Sequence, residues 1–119
     1  MQEQSKVYEK GITCHDDKDF QYLIRSFLKR KGFEAKTIDK TDNVIPLVKE
    51  FKPEVIIIDL KIEADKRVCN EIREKTKTPA KIVLLTDKAV PPSAVHECKP
   101  DIVIQKPFQP EELIEKIIN

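Results

Sequence analysis

Hydrophobic positions along the chain follow two alternating periods. Val55, Ile56, Ile57 and Ile58 form an unbroken β-branched run inside PEVIIIDL, the mark of a strand buried on both faces, and KIVLL (Lys81 to Leu85) repeats it. DKDFQYLIRSFLKRKGF instead spaces Phe20, Leu23, Ile24, Phe27 and Leu28 as one helical face, with Asp17 as N-cap and Gly32 just past the end. The first strand is KGITC, Lys10 to Cys14, and a short one follows at Glu34 to Ile38. NVIPLVKEF reads as a helix starting near Asn43, which leaves Pro46 in the first turn, where proline is tolerated. A further helix carries Val68, Cys69 and Ile72, and a short one is started by Pro91 and Pro92. DIVIQ (Asp101 to Gln105) is the last strand, before a terminal helix with Pro110 near its start and acids in its first turn.

The result is a strand–helix unit repeated five times without a linker or low-complexity tract. Such alternation requires a parallel sheet covered by helices on both faces. Five units fit the doubly wound α/β order 2-1-3-4-5, in which sites form at the carboxyl ends of the strands around the switch between strands 1 and 3. The 119 residues are expected to form one domain, 1–119, with a core of about 10–118.

Composition narrows the function. The net charge of +1 comes from 22 bases and 21 acids dispersed along the chain, so no basic stripe suggests nucleic acid or an anionic membrane. No apolar run has the length of a membrane span, and the start MQEQSKVYEK lacks a signal-peptide core, so a cytoplasmic location is expected. Cys14, Cys69 and Cys98 are far apart, odd in number and without a Cys-x-x-Cys pair, which reads as small buried side chains rather than a zinc site or disulfide framework. With only Gly11 and Gly32 present, a glycine-rich phosphate loop is excluded.

The polar residues at the strand ends carry the chemical interest. They are His15-Asp16-Asp17, then Asp59, then Thr86-Asp87, then Lys106-Pro107-Phe108. Any one of them reads equally as a turn cap or a solvated group. Their occurrence on four strands whose ends the fold gathers together is the signal.

On these residues the chain resembles the receiver domains of two-component response regulators, the flavodoxin-like family of the chemotaxis response regulator. The motifs are HDD after strand 1, IIIDL at strand 3, LLT at strand 4 and QKPF at strand 5. The resemblance implies a signalling switch rather than an enzyme. Asp59 would accept a phosphoryl group from a histidine kinase, a phosphotransfer protein or a small phosphodonor. Asp16, Asp59 and the backbone carbonyl of Lys61 would hold Mg²⁺, with Asp17 as a further ligand, while Thr86 and Lys106 would bind the phosphoryl oxygens. The output would be a protein partner or a further domain, or a homodimer through the face of helix 4, strand 5 and helix 5. No nucleic acid would be bound through this domain.

Several positions depart from the family pattern. His15 stands where a second acid is usual, and neutral imidazole suits Mg²⁺ poorly, so weakened metal binding is expected unless Asp17 substitutes. The loop after Asp59 has neither the usual proline nor glycine. Lys61 and Lys88 flank the expected phosphoryl position, and Asp87 adds bulk and negative charge where a small residue is usual. Val103 replaces the customary aromatic switch residue. The alternative reading is a phosphorylation-silent pseudo-receiver that acts as a constitutive docking module. A phosphatase with an aspartate nucleophile is disfavoured, because that chemistry needs Asp-x-Asp on the first strand and Lys61 fills the second position here.

Overall fold

The computed structural model describes residues 9–15, 17–39, 43–59, 68–86 and 92–118. Five strands form one parallel sheet in the order β2-β1-β3-β4-β5: β1 Lys10–Cys14, β2 Glu34–Ile38, β3 Val55–Asp59, β4 Lys81–Thr86 and β5 Ile102–Gln105. Between and after them lie α1 Lys18–Arg30, α2 Val44–Phe51, α3 Val68–Thr76, α4 Pro92–Cys98 and α5 Pro110–Ile118. The expected α/β fold and strand order are therefore what the chain adopts.

The β-branched run of β3 explains the layers. Ile56 and Ile58 enter one core with Ile12, Cys14 and Ile72, whereas Val55 and Ile57 enter a second with Ile24, Leu28 and Leu113. Period-two alternation thus sends one strand's apolar residues to both faces, and helices must cover each. All five residues of β3 are buried, so Asp59 is delivered to the rim of the sheet as the buried end of a buried strand.

Local chemistry fixes the helix that borders the site. Asp17 Oδ1 accepts the backbone N–H groups of Asp19 (2.9 Å) and Phe20 (3.3 Å), the N-cap expected of it. At the other end Gly32, at φ +92°, lets its own N–H reach Lys29 O and the Phe33 N–H reach Leu28 O. Those two bonds close a left-handed cap that favours glycine.

Strand ends differ slightly from the sequence reading. β4 continues to Thr86, and β5 begins at Ile102 rather than Asp101. The Asp101 N–H does donate to Ile82 O, but it is the Asp101 side chain, Oδ2, that accepts the Ile82 N–H at 2.8 Å. A carboxylate therefore takes the place of a ladder carbonyl.

Candidate functional site

Asp59 ends β3 with its side chain only 3 % exposed, and two side chains from other strand ends meet it. Lys106, just after β5, places Nζ 2.9 Å from Oδ1. His15, just after β1, places Nε2 3.0 Å from Oδ2. Burial pushes the Asp59 carboxyl up, but the contacts with His15 and Lys106 outweigh it and hold the group well below the usual carboxylate range. It is therefore an anion at neutral pH.

The His15 ring is fixed from several directions. Its Nδ1 accepts the Asp17 backbone N–H at 2.9 Å. The ring stacks on Phe20 at 4.2 Å between centroids, and Phe108 meets Phe20 edge-on at 5.8 Å. The His15 N–H donates to Ile38 O at 3.0 Å, and its carbonyl accepts Gln21 Nε2–H. Gln21 is a buried amide whose Nε2 also reaches Ile38 O, at 3.3 Å, so it joins the ends of β1 and β2 to α1.

Of the strand-end residues singled out in the sequence, His15, Asp59 and Lys106 are in side-chain contact. Thr86 lies buried at the end of β4, one residue beyond Leu85, the register partner of Asp59, and its carbonyl accepts the Lys106 N–H at 2.7 Å. Asp17 Oδ1 is engaged in capping α1. Asp16, Lys61, Asp87 and Lys88 lie outside the described residues. Val103, on β5, is 41 % exposed, with no aromatic ring at that position.

Gln21 escaped the sequence reading, and so did the part Phe20 and Phe108 play beside His15, though Phe20 was read as helix face and Phe108 as part of QKPF. Phe20 looks like any apolar residue of an amphipathic helix, and a glutamine at helical spacing gives no sign that it will be buried. Beside the triad a cleft of about 550 Å³ is lined by His15, Phe20, Leu23, Lys106 and Phe108, among others.

The arrangement limits the chemistry available. A buried carboxylate held ionised beside an ammonium group can act as a nucleophile, with a cation beside any group transferred to it, and it can equally serve as a structural ion pair. It is less suited to Mg²⁺. Hard divalent ions need converging oxygen donors, and among the described residues no three His, Cys, Asp or Glu side chains are grouped to hold a metal. An imidazole nitrogen lies 3.0 Å from Asp59 Oδ2, and an ammonium group lies against Oδ1. The described donors do not fit Mg²⁺ in this arrangement.

A sheet of order 2-1-3-4-5 with a buried aspartate at the end of its central strand and a lysine opposing it is the architecture of flavodoxin-like receiver domains. The chain belongs to the response regulator receiver domain family, which it matches over residues 12–118. It is 30 % identical over 112 residues to the transcriptional regulatory protein ResD of Bacillus subtilis, a match covering 91 % of this chain and 46 % of ResD. The chain thus spans about half the length of that relative. Among solved structures it resembles the chemotaxis protein CheY4 of Vibrio cholerae, with a TM-score of 0.81, 18 % identity, and 94 % of this chain and 98 % of that one covered. A receiver domain from Clostridium thermocellum matches with a TM-score of 0.81 at 20 % identity, covering 93 % of this chain and 92 % of that one. These likenesses establish the fold. Family membership makes the chain a signalling module, a response-regulator receiver of two-component systems. The family works with histidine kinases and output domains and generally binds Mg²⁺ at its phosphorylation site. Among the described residues no helix is long and apolar enough to cross a membrane.

Proposed function

We propose that the chain is a phosphorylation-controlled switch in which Asp59 takes a phosphoryl group from the phosphohistidine of a kinase or phosphotransfer protein. An Asp59 oxygen forms the new P–O bond as the P–N bond to the donor histidine breaks, and the donor nitrogen leaves with the electron pair. The observation that carries this reading is the Lys106 ammonium 2.9 Å from Asp59 Oδ1, a fixed positive charge where phosphoryl oxygens would gather. Thr86, at the neighbouring strand end, supplies a hydroxyl donor. By the family pattern Lys61 and Lys88 would add positive charge near the phosphoryl group and Asp87 would add bulk and negative charge; the three lie outside the described residues.

Asp16, Asp59 and the Lys61 carbonyl would hold Mg²⁺ weakly in this reading, since His15 already lies against Asp59 Oδ2. The modified domain signals through α4, β5 and α5 to a protein partner, an output domain or a second copy, and it does so without an aromatic switch at Val103. Asp59 is the site of one chemical event rather than of turnover.

One observation favours a second reading. Both Asp59 oxygens are engaged, by Lys106 and by His15, as they would be in a phosphorylation-silent docking module. Fluorine NMR of the chain with beryllofluoride, together with intact-mass measurement after treatment with acetyl phosphate, separates the two. An adduct that forms on the chain and is lost in Asp59→Asn is the expected result. Absence of any adduct across a wide Mg²⁺ range, with the fold intact, would establish the silent module.

A further inference from the structure

The site turns on a proton. His15 Nδ1 accepts the Asp17 backbone N–H at 2.9 Å, so its lone pair is committed and the ring proton of the neutral imidazole resides on Nε2. That N–H side stands 3.0 Å from Asp59 Oδ2. With Lys106 Nζ 2.9 Å from Oδ1, each oxygen of the carboxylate has a side-chain nitrogen at contact distance. A nitrogen carrying a proton has no lone pair to offer a metal, and it occupies the approach to the oxygen a cation would need. The ring is not idle in this position: the Phe20 stack, the Asp17 N–H and the backbone bond to Ile38 O all fix it there.

We infer that His15 is a positioning residue that takes the place of the divalent cation at Asp59, so that Mg²⁺ binds only when the imidazole is displaced from Oδ2. The inference deepens the reading of Asp59 as the reacting carboxylate and assigns His15 a role of its own. It sets the metal dependence of the site. The cleft lined by His15, Phe20, Leu23 and Phe108 adjoins the ring and is the space into which it would turn. Binding of the ion therefore competes with the aromatic stack as well as with the N–H contact.

The test needs no phosphoryl transfer, so its failure and that of the phosphoacceptor reading can be told apart. Mg²⁺ is titrated into the full chain and into His15→Asp and His15→Ala, with backbone amide NMR shifts reporting both binding and the integrity of the fold. We expect His15→Asp to bind Mg²⁺ about ten- to a hundredfold more tightly than the parent chain, the scale on which groups around a metal alter its affinity. His15→Ala falls between them, and adding Asp59→Asn abolishes the gain. Equal affinity in the parent chain and both folded variants would overturn the inference. A second measurement uses the parent chain alone, so it stands even where a variant fails to fold. Long-range proton–nitrogen spectra of the His15 ring should place the proton on Nε2 without metal and show that ring perturbed as Mg²⁺ saturates the site. A proton on Nδ1, or a ring unmoved at saturation, would overturn it.

Discussion

The Lys106 ammonium lies 2.9 Å from Asp59 Oδ1, and the carboxylate it contacts is almost wholly buried. Burial alone raises the Asp59 carboxyl, but His15 and Lys106 more than reverse this and hold it well below its ordinary value. A group lowered in the folded state stabilises the fold fully above its unfolded pKa, about 4. That contribution is lost as pH falls from there towards the folded value. Urea midpoints measured from neutral pH down to about pH 2.5 should fall more steeply for the parent chain than for Asp59→Asn, which has no such proton to gain. Parallel curves would show that the pair contributes nothing to acid sensitivity.

Removing the cation isolates the pair itself. Lys106→Met leaves a buried carboxylate with His15 as its remaining described side-chain contact, and should cost about 1–3 kcal/mol, the scale of a hydrogen bond to a charged group. The Lys106 side chain is 29 % exposed, which places the loss towards the lower end through solvent screening. In the Asp59→Asn background the same substitution should cost much less, since no anion remains to be stranded. Chemical denaturation of the four proteins in the cycle gives the coupling directly. A value near zero would mean that the contact is geometric only.

Much of this architecture is legible in the sequence, because local rules and global fold agree. The β-branched run of β3 predicts a strand buried on both faces, the Asp17 cap and Gly32 bracket α1, and five alternating units fit the sheet order that the chain adopts. Strand order brings Asp59, which ends β3, and Lys106, which follows β5, to one end of the sheet, and the resemblance to receiver domains is what sets Lys106 beside Asp59. The His15 contact could not be read the same way. Its ring orientation depends on an N–H from Asp17, a face of Phe20 and an edge from Phe108, groups that only the folded chain assembles. Cys69 and Cys98 were legible as buried thiols but not as partners, for they lie on different helices and no spacing rule relates them.

Gly11 tests the packing under the site. A Cβ there would meet Val55 Cγ1 at 3.1 Å, with Leu28 and Phe33 just beyond. Gly11→Ala should therefore destabilise by about 1–3 kcal/mol through overpacking. Trimming the obstacle should relieve it: Val55→Ala with Gly11→Ala should cost less than the sum of the two single changes. Gly32→Ala meets no neighbouring atom within 4 Å, yet its φ of +92° disfavours a side chain. A loss of about 1 kcal/mol is expected there from backbone strain alone. Additive energies for Gly11 and Val55 in urea denaturation would rule out the steric explanation.

Arg73 ties α3 to the end of α4. Its Nη1 donates to Cys98 O at 2.9 Å and its Nη2 to Lys99 O at 2.6 Å, two carbonyls at a helix terminus that otherwise lack intrahelical donors. Beneath this clamp the Cys69 and Cys98 thiols are both fully buried. A hydrogen bond with Cys98, reinforced by burial, pushes the Cys69 thiol far above the ordinary thiol range. Thiolate is the reactive form, so Cys69 should resist alkylation in the folded protein and react only when the α3–α4 contact opens. Arg73→Met removes both donors to the α4 terminus and should make that opening more frequent. Labelling of Cys69 by iodoacetamide, followed by peptide mass spectrometry in native buffer, should then rise roughly tenfold, the factor that corresponds to about 1.4 kcal/mol of lost docking energy. An unchanged rate would mean that the helix is held by its apolar face and that the guanidinium is dispensable.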